Sequence, residues 1–518
     1  MRLHPLCVYA LAMAAVFLAV IPLSFVGMEL GAVRNYQTVL SILVFPALLW
    51  HRRARSEDRV PAWAIGVLAA SAGVSLLVNQ LLKFNAFYTS GSDFPIFDRM
   101  LYETNHGRFM YAPTAGINHL GIHPTYVMVP LALLHRVFEG PLLLVVVTWV
   151  VVWIGVVPLW LLVRHAWSED AALLAAVAYL TNPWLMGALD GGFHPEVFYP
   201  ATGLFFLLGW VQERPAIWAP AAAVFLAIKE DAALIMLGFA VAAVVFEPRR
   251  LRAGLSIAAS SAALLAVNLG VVQPFLLQDA PGDHAAYGRF WGQYGGSFGQ
   301  VVQGMISSPL RVAADLARSA WYRLFGAALF LPLLSRALLP MLPTLLLLGT
   351  SSNPVMWKYG WYYPLALIPF VFWGLIEARR SLPILRERPQ LREGVFLAAL
   401  LVFPLVGAGY MRFPIPSLDQ LRAIPALQAR LLETPEVCAQ EAIVPRVPYQ
   451  VSVHALTAQC LRRPGAIVVV NPGLDPYPYW EEQIREWIEE GRARGEVEDL
   501  GGGFYVLEGL RPESVRMP

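Results

Sequence analysis

Four short polar motifs interrupt the apolar stretches of this 518-residue chain, and their side chains suit proton transfer or phosphate binding. The first motif places Asp93 and Asp98 five residues apart, where one carboxylate can act as a general base while the other binds a metal ion or a sugar hydroxyl. The structural alternatives are a helix cap at Asp93 and a surface ion pair between Asp98 and Arg99. We favour a functional role for Asp93.

The second motif contains His119 and His123. Histidines four residues apart meet on one face of a helix and suit a zinc ion. Gly121 and Pro124 argue against a regular helix here. We therefore interpret His123 as a hydrogen-bond partner for a phosphate or hydroxyl group, and zinc as the less favoured alternative.

The third motif runs over residues 190–196. Its glycines, Gly191 and Gly192, allow a backbone to approach a ligand closely, and His194 with Glu196 can complete a polar site. The alternative is a turn that simply ends a membrane span.

The fourth motif, Lys229-Glu230-Asp231, separates two apolar stretches that are each short. Ionisable groups near membrane depth are costly and therefore indicate function. Lys229 suits an anionic phosphate. Its neutralisation by Glu230 is the structural alternative, but of the four motifs this one most strongly indicates function.

The composition indicates where these motifs must lie. Hydrophobic residues make up 57% of the chain and charged residues 14%, whereas soluble domains carry roughly 25% charged residues. Runs of about 20 apolar residues, long enough to cross a hydrocarbon core, recur almost from end to end. The sequence therefore predicts an all-α polytopic membrane protein. Its net charge is only +2 and its Lys and Arg residues form short clusters, which argues against nucleic-acid binding.

The positions of Lys and Arg orient the spans, because short cytoplasmic loops retain positive charge. Arginines at 52–59 and 379–392 mark cytoplasmic connections. Segment 123–138 is either a span or a helix that lies flat on the outer surface, and the flat position is favoured because it places Arg164 and His165 inside. Span length gives about 13 transmembrane helices, with a cytoplasmic N-terminus, an external C-terminus and a place in the cell inner (plasma) membrane. The predicted spans are 5–26, 36–50, 62–82, 141–163, 171–189, 197–211, 217–228, 232–246, 254–277, 320–334, 337–349, 361–376 and 395–410.

The chain divides into two predicted domains. Residues 1–411 form the membrane domain, whose main outer loops are 83–140 and 278–319. Residues 412–518 have the composition of a soluble protein and are expected to form a small extracytoplasmic α/β domain.

Within the C-terminal region, strands are predicted at 466–470 and 504–507, and a helix at 480–490. Cys438 and Cys460 could form a disulfide if this region is exported, although spacing alone does not establish one.

A polar and aromatic connection follows the first of these strands. It contains Asp475, Tyr477, Tyr479 and Trp480, which could help to bind a ligand. A surface turn is the favoured interpretation.

Several well-known motifs are absent from the sequence. It has no Walker loop, dinucleotide fingerprint, His-Glu-x-x-His or Cys-x-x-Cys. ATP-driven transport, nicotinamide chemistry and zinc proteolysis therefore lack their usual signatures.

Taken in order, the motifs at Asp93, His123, His194 and Lys229 resemble those of a bacterial integral membrane family of unknown function (domain of unknown function 2079). That family is similar in layout to the GT-C glycosyltransferases, which include protein O-mannosyltransferases and the aminoarabinose transferase of lipid A. The resemblance covers roughly residues 85–380. It implies a GT-C-like membrane domain and an inverting transfer of a hexose or pentose from a polyprenyl-phosphate donor to an acceptor outside the cytoplasm.

The resemblance also implies residue roles. Asp93 matches the essential Asp of the first outer loop, with Asp98 as the alternative, and Lys229 matches a Lys that approaches the lipid phosphate. The superfamily's usual Asp-Glu pair is missing, since Asp93 is followed by Phe94. The predicted substrate-binding residues are His119, His123, His194, Glu196, Lys229, Glu230, Asp231, Arg289, Lys358 and Tyr359.

The expected partners are a polyprenyl-phosphate-linked sugar and membrane lipid. The sequence establishes no cofactor, and a divalent metal ion is the one candidate. Two other classes compete with the enzyme. A transporter or flippase of a lipid-linked substrate predicts a polar path that reaches the inner face. A non-catalytic membrane scaffold predicts that Asp93, His123, His194 and Lys229 are scattered, whereas an enzyme predicts that they converge beside an apolar groove.

Overall fold

The structure is a computed structural model of the chain, and most of its described residues are helical. It describes residues 5–25, 62–88, 93–114, 116–189, 192–277, 286–319, 321–357, 361–381, 387, 394–400, 402 and 414–509.

The N-terminal half contains thirteen α-helices among the described residues, with a two-stranded antiparallel ribbon of β1 (Tyr111–Ala112) and β2 (Ile117–Asn118). The helices are α1 (Pro5–Phe25), α2 (Ala62–Asn85), α3 (Asp93–Asn105), α4 (His119–Ile122), α5 (Met128–His135), α6 (Leu142–Ile154), α7 (Val156–Ala166), α8 (Glu169–Leu180), α9 (Pro183–Ala188), α10 (Phe198–Val211), α11 (Pro215–Leu226), α12 (Asp231–Phe246) and α13 (Leu251–Val267).

The second half begins with helices and ends with a small sheet. Its helices are α14 (Gln273–Leu277), α15 (Ala286–Trp291), α16 (Phe298–Ser307), α17 (Pro309–Arg318), α18 (Trp321–Ala327), α19 (Leu338–Thr350), α20 (Ile368–Ser381), α21 (Leu418–Leu432) and α22 (Glu481–Arg494). Its strands are β3 (Glu436–Ala439), β4 (Ser452–Ala455), β5 (Ile467–Val470), β6 (Val497–Asp499) and β7 (Tyr505–Leu507).

Four helical stretches of the described residues are long and apolar enough to cross a membrane. They are Trp63–Asn85, Leu142–Ala166, Glu169–Ala188 and Pro248–Leu277. Shorter apolar helices accompany them, so the prediction of a helical membrane protein holds while the predicted number of spans is not confirmed. The predicted span 36–50 and most of 395–410 lie outside the described residues.

One predicted span is wrong. Residues 320–334 do not form a continuous helix, because Leu329 and Phe330 have φ angles of 51° and 57°. That left-handed conformation is incompatible with an α-helix, so α18 ends early and a 3₁₀ turn, Leu331–Leu334, follows.

The segment predicted to lie flat forms α5, a helix of eight residues. At a rise of about 1.5 Å per residue, α5 is too short to cross a core of about 30 Å. Leu133, Val137 and Phe138 are exposed, as expected for a helix that rests in the membrane surface.

Close contact between α12 and α19 brings together two walls of the site described below. At Gly238 of α12, a Cβ atom would lie only 2.4 Å from the carbonyl oxygen of Leu339. A larger residue at 238 would therefore separate these helices.

An ion-pair network lies at the end of α12 opposite to Asp231, about 24 Å along a helix of this length. Arg336 Nη1 lies 2.6 Å from Glu247 Oε1, and Arg336 Nε lies 3.1 Å from Glu377 Oε2. Arg250 Nη1 lies 3.3 Å from Glu247 Oε2. These pairs join α12 to α20 and to the connection before α19.

The C-terminal sheet has the strand order β4-β3-β5-β7-β6. Strands β3, β4 and β5 are parallel, whereas β7 runs antiparallel to β5 and β6. Side chains alternate between two faces: Val437 and Val469 pack with Leu427 of α21, whereas Val468 packs with Trp487 of α22. The predicted boundary at 411 and 412 lies outside the described residues.

A disulfide joins Cys438 of β3 to Cys460, and so settles the question that the sequence left open.

This C-terminal region is attached to the end of α2 and to α3. Arg446 Nη2 donates to the carbonyl of Phe84 at 2.9 Å. Tyr449 Oη donates to Asp98 Oδ1 at 2.8 Å, and Arg99 Nη1 donates to the carbonyl of Pro448 at 3.1 Å. The sheet and Asp93 therefore lie on the same side of the membrane.

Candidate active site

Asp93 is the first residue of α3, and two side chains from distant parts of the chain hold its carboxylate. His194 Nδ1 lies 3.1 Å from Asp93 Oδ2, and Tyr362 Oη donates to the same oxygen at 2.8 Å. The rings of His194 and Tyr362 stack at 3.8 Å between centroids. The Asp93 side chain is 30% exposed, so one carboxylate is both fixed in position and accessible.

These partners decide the charge of Asp93. Burial alone would raise the pKa of Asp93, but the neighbouring His194 and the Tyr362 hydroxyl together hold it well below its usual range. Asp93 is therefore ionised at neutral pH, the state that a proton acceptor needs.

Lys229 lies in the turn between α11 and α12, where the sequence predicts a bend. Its Nζ lies 2.9 Å from Glu196 Oε1 and 5.5 Å from the centre of the Tyr363 ring. The side chains of Lys229 and Glu196 are 11% and 6% exposed. A buried ammonium needs such a counter-charge, because desolvation otherwise disfavours its charged form.

The other two members of the motif have partners of their own. Glu230 Oε1 lies 2.9 Å from His123 Nδ1, whereas Glu230 Oε2 is buried without a hydrogen bond to any described residue. Asp231 accepts a hydrogen bond from the hydroxyl of Tyr199.

A cavity of about 600 Å³ adjoins these charges. One end is polar, and the remaining walls are mostly apolar and come from α13, α14, α15 and α19. The polar end consists of His123, Glu196, Lys229, Glu230 and Asp231. The apolar wall includes Leu234, Leu265, Leu269, Leu277, Phe290, Trp291, Leu347, Leu348 and Met356.

Two short connections link Asp93 to this cavity. The hydroxyl oxygens of Tyr362 and Tyr363 lie 3.2 Å apart, and Tyr363 lines the cavity. His194 and Glu196 flank Pro195 at the start of a 3₁₀ turn, with His194 beside Asp93 and Glu196 beside Lys229. Asp93, His123, His194 and Lys229 therefore converge on one site.

His119 and Asp98 take different places. Burial and the charge of His123 lower the pKa of His119 to about 3, so its imidazole is neutral, and it packs edge-on against Phe97 at 5.0 Å. Asp98 is buried against Tyr449 of the C-terminal region, apart from the partners of Asp93. A catalytic role for Asp98 stays a prediction, and its contacts favour a structural role.

Of the remaining predicted residues, one belongs to a described helix and two lie outside the described part of the chain. Arg289 belongs to α15, whose neighbouring Phe290 and Trp291 line the cavity. Lys358 and Tyr359 lie outside the described residues.

Among the described residues, no group of three His, Cys, Asp or Glu side chains has the arrangement of a metal site. The rings of His119 and His123 have centroids 6.1 Å apart and are inclined at 62°.

Sequence reasoning missed three tyrosines of the site, Tyr199, Tyr362 and Tyr363. Each stands at the edge of a predicted apolar span, where an aromatic residue is ordinarily read as a membrane-interface anchor. For Tyr362 and Tyr363, the sequence feature that could have indicated a role in the site is their position as consecutive tyrosines directly before Pro364.

Comparisons with known proteins agree with this picture of a membrane protein. Residues 83–457 match the profile of a family described as predicted membrane protein (DUF2079). Among solved structures, the chain is similar to the crystal structure of ArnT from Cupriavidus metallidurans bound to undecaprenyl phosphate, with a TM-score of 0.46 and 11% sequence identity. The alignment covers 86% of this chain and 98% of that one. No curated protein matches the sequence.

Proposed function

The chain belongs to the DUF2079 family of predicted membrane proteins, and we propose that it is a membrane glycosyltransferase-like protein. Its reaction is the transfer of a sugar from a polyprenyl-phosphate donor to an acceptor on the outer face of the membrane. The acceptor oxygen attacks the sugar carbon that carries the phosphate, so the configuration at that carbon inverts.

One observation supports this function above the others. A single cavity combines a charged end at Lys229 with a long apolar wall, and Asp93 lies two tyrosine hydroxyls away. A prenyl phosphate has the same division into a charged head and an apolar tail. A soluble sugar nucleotide or an amino acid would leave the apolar wall without a partner.

The residues account for each part of the reaction. Asp93 accepts the proton of the acceptor hydroxyl as its oxygen bonds to the sugar. The bond between the sugar carbon and the phosphate oxygen breaks, and its electron pair leaves with the phosphate. Lys229 is the cation that faces this developing charge, and His123 lies beside it in the same cavity. A phosphate at Lys229 takes the place of the Glu196 carboxylate as its partner.

We further propose that the membrane domain and the C-terminal domain divide near residue 411, with the C-terminal domain outside the cytoplasm. The disulfide between Cys438 and Cys460 supports this orientation, because such bonds persist in oxidising compartments. Asp93 then also faces outward, since both lie on the same side of the membrane.

The test is transfer of radiolabelled sugar from a panel of polyprenyl-phosphate donors in proteoliposomes. We expect transfer by the wild type, and its loss in Asp93→Asn and in Lys229→Ala. Glu490→Gln, on an exposed face of α22, is the matched control and should transfer normally. A wild type that transfers nothing from any donor, or an Asp93→Asn variant as active as the wild type, would rule out this function.

A further inference from the structure

The C-terminal sheet has a topological switch point between β3 and β5. These two strands are parallel neighbours. The chain leaves β3 toward β4 on one side, and leaves β5 toward α22 and β6 on the other. Open α/β sheets bind ligands in the crevice outside the carboxyl ends of two such strands. Residues that follow β3 and β5 therefore lie where a ligand is expected.

Gln440, directly after β3, links the two connections that border this crevice. Its side-chain amide donates to the carbonyl of Asp475 at 3.0 Å, and its side-chain oxygen accepts from the backbone of Asn471. The connections after β3 and β5 are thereby tied together.

Glu441 follows Gln440, and its carboxylate is available to bind a ligand. It is half-buried, yet its carboxylate makes no hydrogen bond or ion pair with any described residue. Burial raises the pKa of Glu441 to about 7, and the negative charges of Asp93 and Asp475 add to the effect. Glu441 therefore lies within electrostatic reach of Asp93, although the two belong to different parts of the fold.

Two aromatic side chains are exposed on the connection that follows β5. Tyr477 is 64% exposed and Trp480 is 61% exposed. The backbone N–H of Tyr477 donates to Asp475 Oδ1 at 3.1 Å, so this connection has an ordered conformation. An exposed aromatic ring offers a flat apolar surface against which a ligand can pack.

The attachment of the C-terminal region keeps this crevice beside Asp93. Only a few residues after Glu441, Arg446 donates to Phe84 and Tyr449 donates to Asp98, at 2.9 Å and 2.8 Å. Asp98 lies on the same helix as Asp93. The crevice and Asp93 therefore cannot separate unless these contacts break.

We propose that the crevice between the carboxyl ends of β3 and β5 is an acceptor-binding site for a polyhydroxylated, sugar-like molecule, held by the Glu441 carboxylate and the Trp480 ring. The carboxylate accepts hydrogen bonds from the hydroxyl groups, and the ring packs against the apolar face of the sugar. This site deepens the proposed glycosyltransferase function, on which its role as an acceptor site rests.

Binding is measured on the full chain in lipid nanodiscs by saturation-transfer NMR, with methyl hexosides and methyl pentosides as probes. We expect at least one glycoside to bind the wild type, and its affinity to fall at least tenfold in Glu441→Gln and in Trp480→Ala. Glu490→Gln should bind like the wild type. The double variant Lys229→Met/Glu196→Gln, altered only in the donor cavity, should also bind it normally.

The possible outcomes distinguish the crevice site from the glycosyltransferase function. No binding by the wild type, or undiminished binding by both Glu441→Gln and Trp480→Ala, would overturn the site. A glycoside that binds as expected to a protein without transfer activity would retain the crevice as a sugar site and reject the glycosyltransferase function instead.

Discussion

The hydroxyl of Tyr362 donates to Asp93 Oδ2 at 2.8 Å, across 269 positions of sequence. This bond ties the start of α3 to the connection before α20, and with His194 it fixes the carboxylate in one orientation. A carboxylate on one segment that is held by residues from two others is sensitive to the packing of all three.

Tyr362→Phe should lower the melting temperature of the protein at neutral pH, by the equivalent of about 1.5–3 kcal/mol for a hydrogen bond to a charged group. In an Asp93→Asn background the same substitution should cost much less, because the charge that strengthens the bond is gone. Thermal unfolding of the four proteins of this cycle measures the coupling. Tyr102→Phe, which keeps its ring stacked on Tyr449, is the control. Equal effects of Tyr362→Phe in both backgrounds would show that the two residues act independently.

Lys229 and Glu196 should behave as a coupled pair. Lys229→Ala alone leaves Glu196 buried and unpaired, so we expect a loss of about 3–5 kcal/mol. Lys229→Met combined with Glu196→Gln should recover most of this stability, because no charge is then left uncompensated. Binding of undecaprenyl phosphate, followed by native mass spectrometry, should stay weak in the recovered protein. Restored lipid binding without Lys229 would reject its role as the phosphate partner.

The thiols report on the compartment of the C-terminal region. The chain has three cysteines: a disulfide joins Cys438 to Cys460, and Cys7 is a buried residue outside that disulfide. Alkylation of denatured, unreduced protein should modify Cys7 alone, and all three after reduction. In Cys438→Ser two thiols should react without reduction, which serves as the control. Three reactive thiols in the unreduced wild type would contradict an external position of this region.

Asp98 should make stability depend on pH. Burial raises its pKa to about 6, although Arg99 and the Tyr449 hydroxyl oppose the shift. The folded protein therefore binds this proton more tightly than the unfolded chain, so stability falls as the pH rises from about 4 to about 6 and then levels off. The integrated loss is on the order of 3 kcal/mol.

The measurement is the difference in melting temperature between the wild type and Asp98→Asn across this pH range. The wild type should lose stability relative to the variant as the pH rises. Asp419→Asn, at an exposed position of α21, should follow the wild type at every pH. A constant difference between the wild type and Asp98→Asn would mean that Asp98 is not titrating in that range.

Sequence reasoning reached the family and most of the site. The family resemblance is confirmed by the profile match. Asp93, His194, Glu196 and Lys229 could be found because polar side chains between apolar runs must gather at the ends of helices, where a site can form. Their catalytic and binding roles stay predictions.

Other features left little trace in the sequence. Leu329 and Phe330 break a helix although neither is Gly or Pro, so their left-handed conformation reflects tertiary packing and not local preference. The pairing of β3 with β5 joins strands that are distant along the chain, and short strands of this kind give no local signal of their partners. Glu441 could be recognised only after this pairing placed it at the crevice and the contacts of Arg446 and Tyr449 placed that crevice near Asp93.

The arginine and glutamate network at the far end of α12 bears on which side of the membrane the protein opens to its substrates. Arg336 is bonded to both Glu247 and Glu377, and Arg250 adds a further pair to Glu247. A flippase would have to break these pairs in every cycle to open a route through the helices. A protein that works from one leaflet can leave them closed throughout turnover. In such a protein, the ion pairs keep the inner ends of α12 and α20 joined while the opposite end of α12, which begins at Asp231, exchanges its ligands.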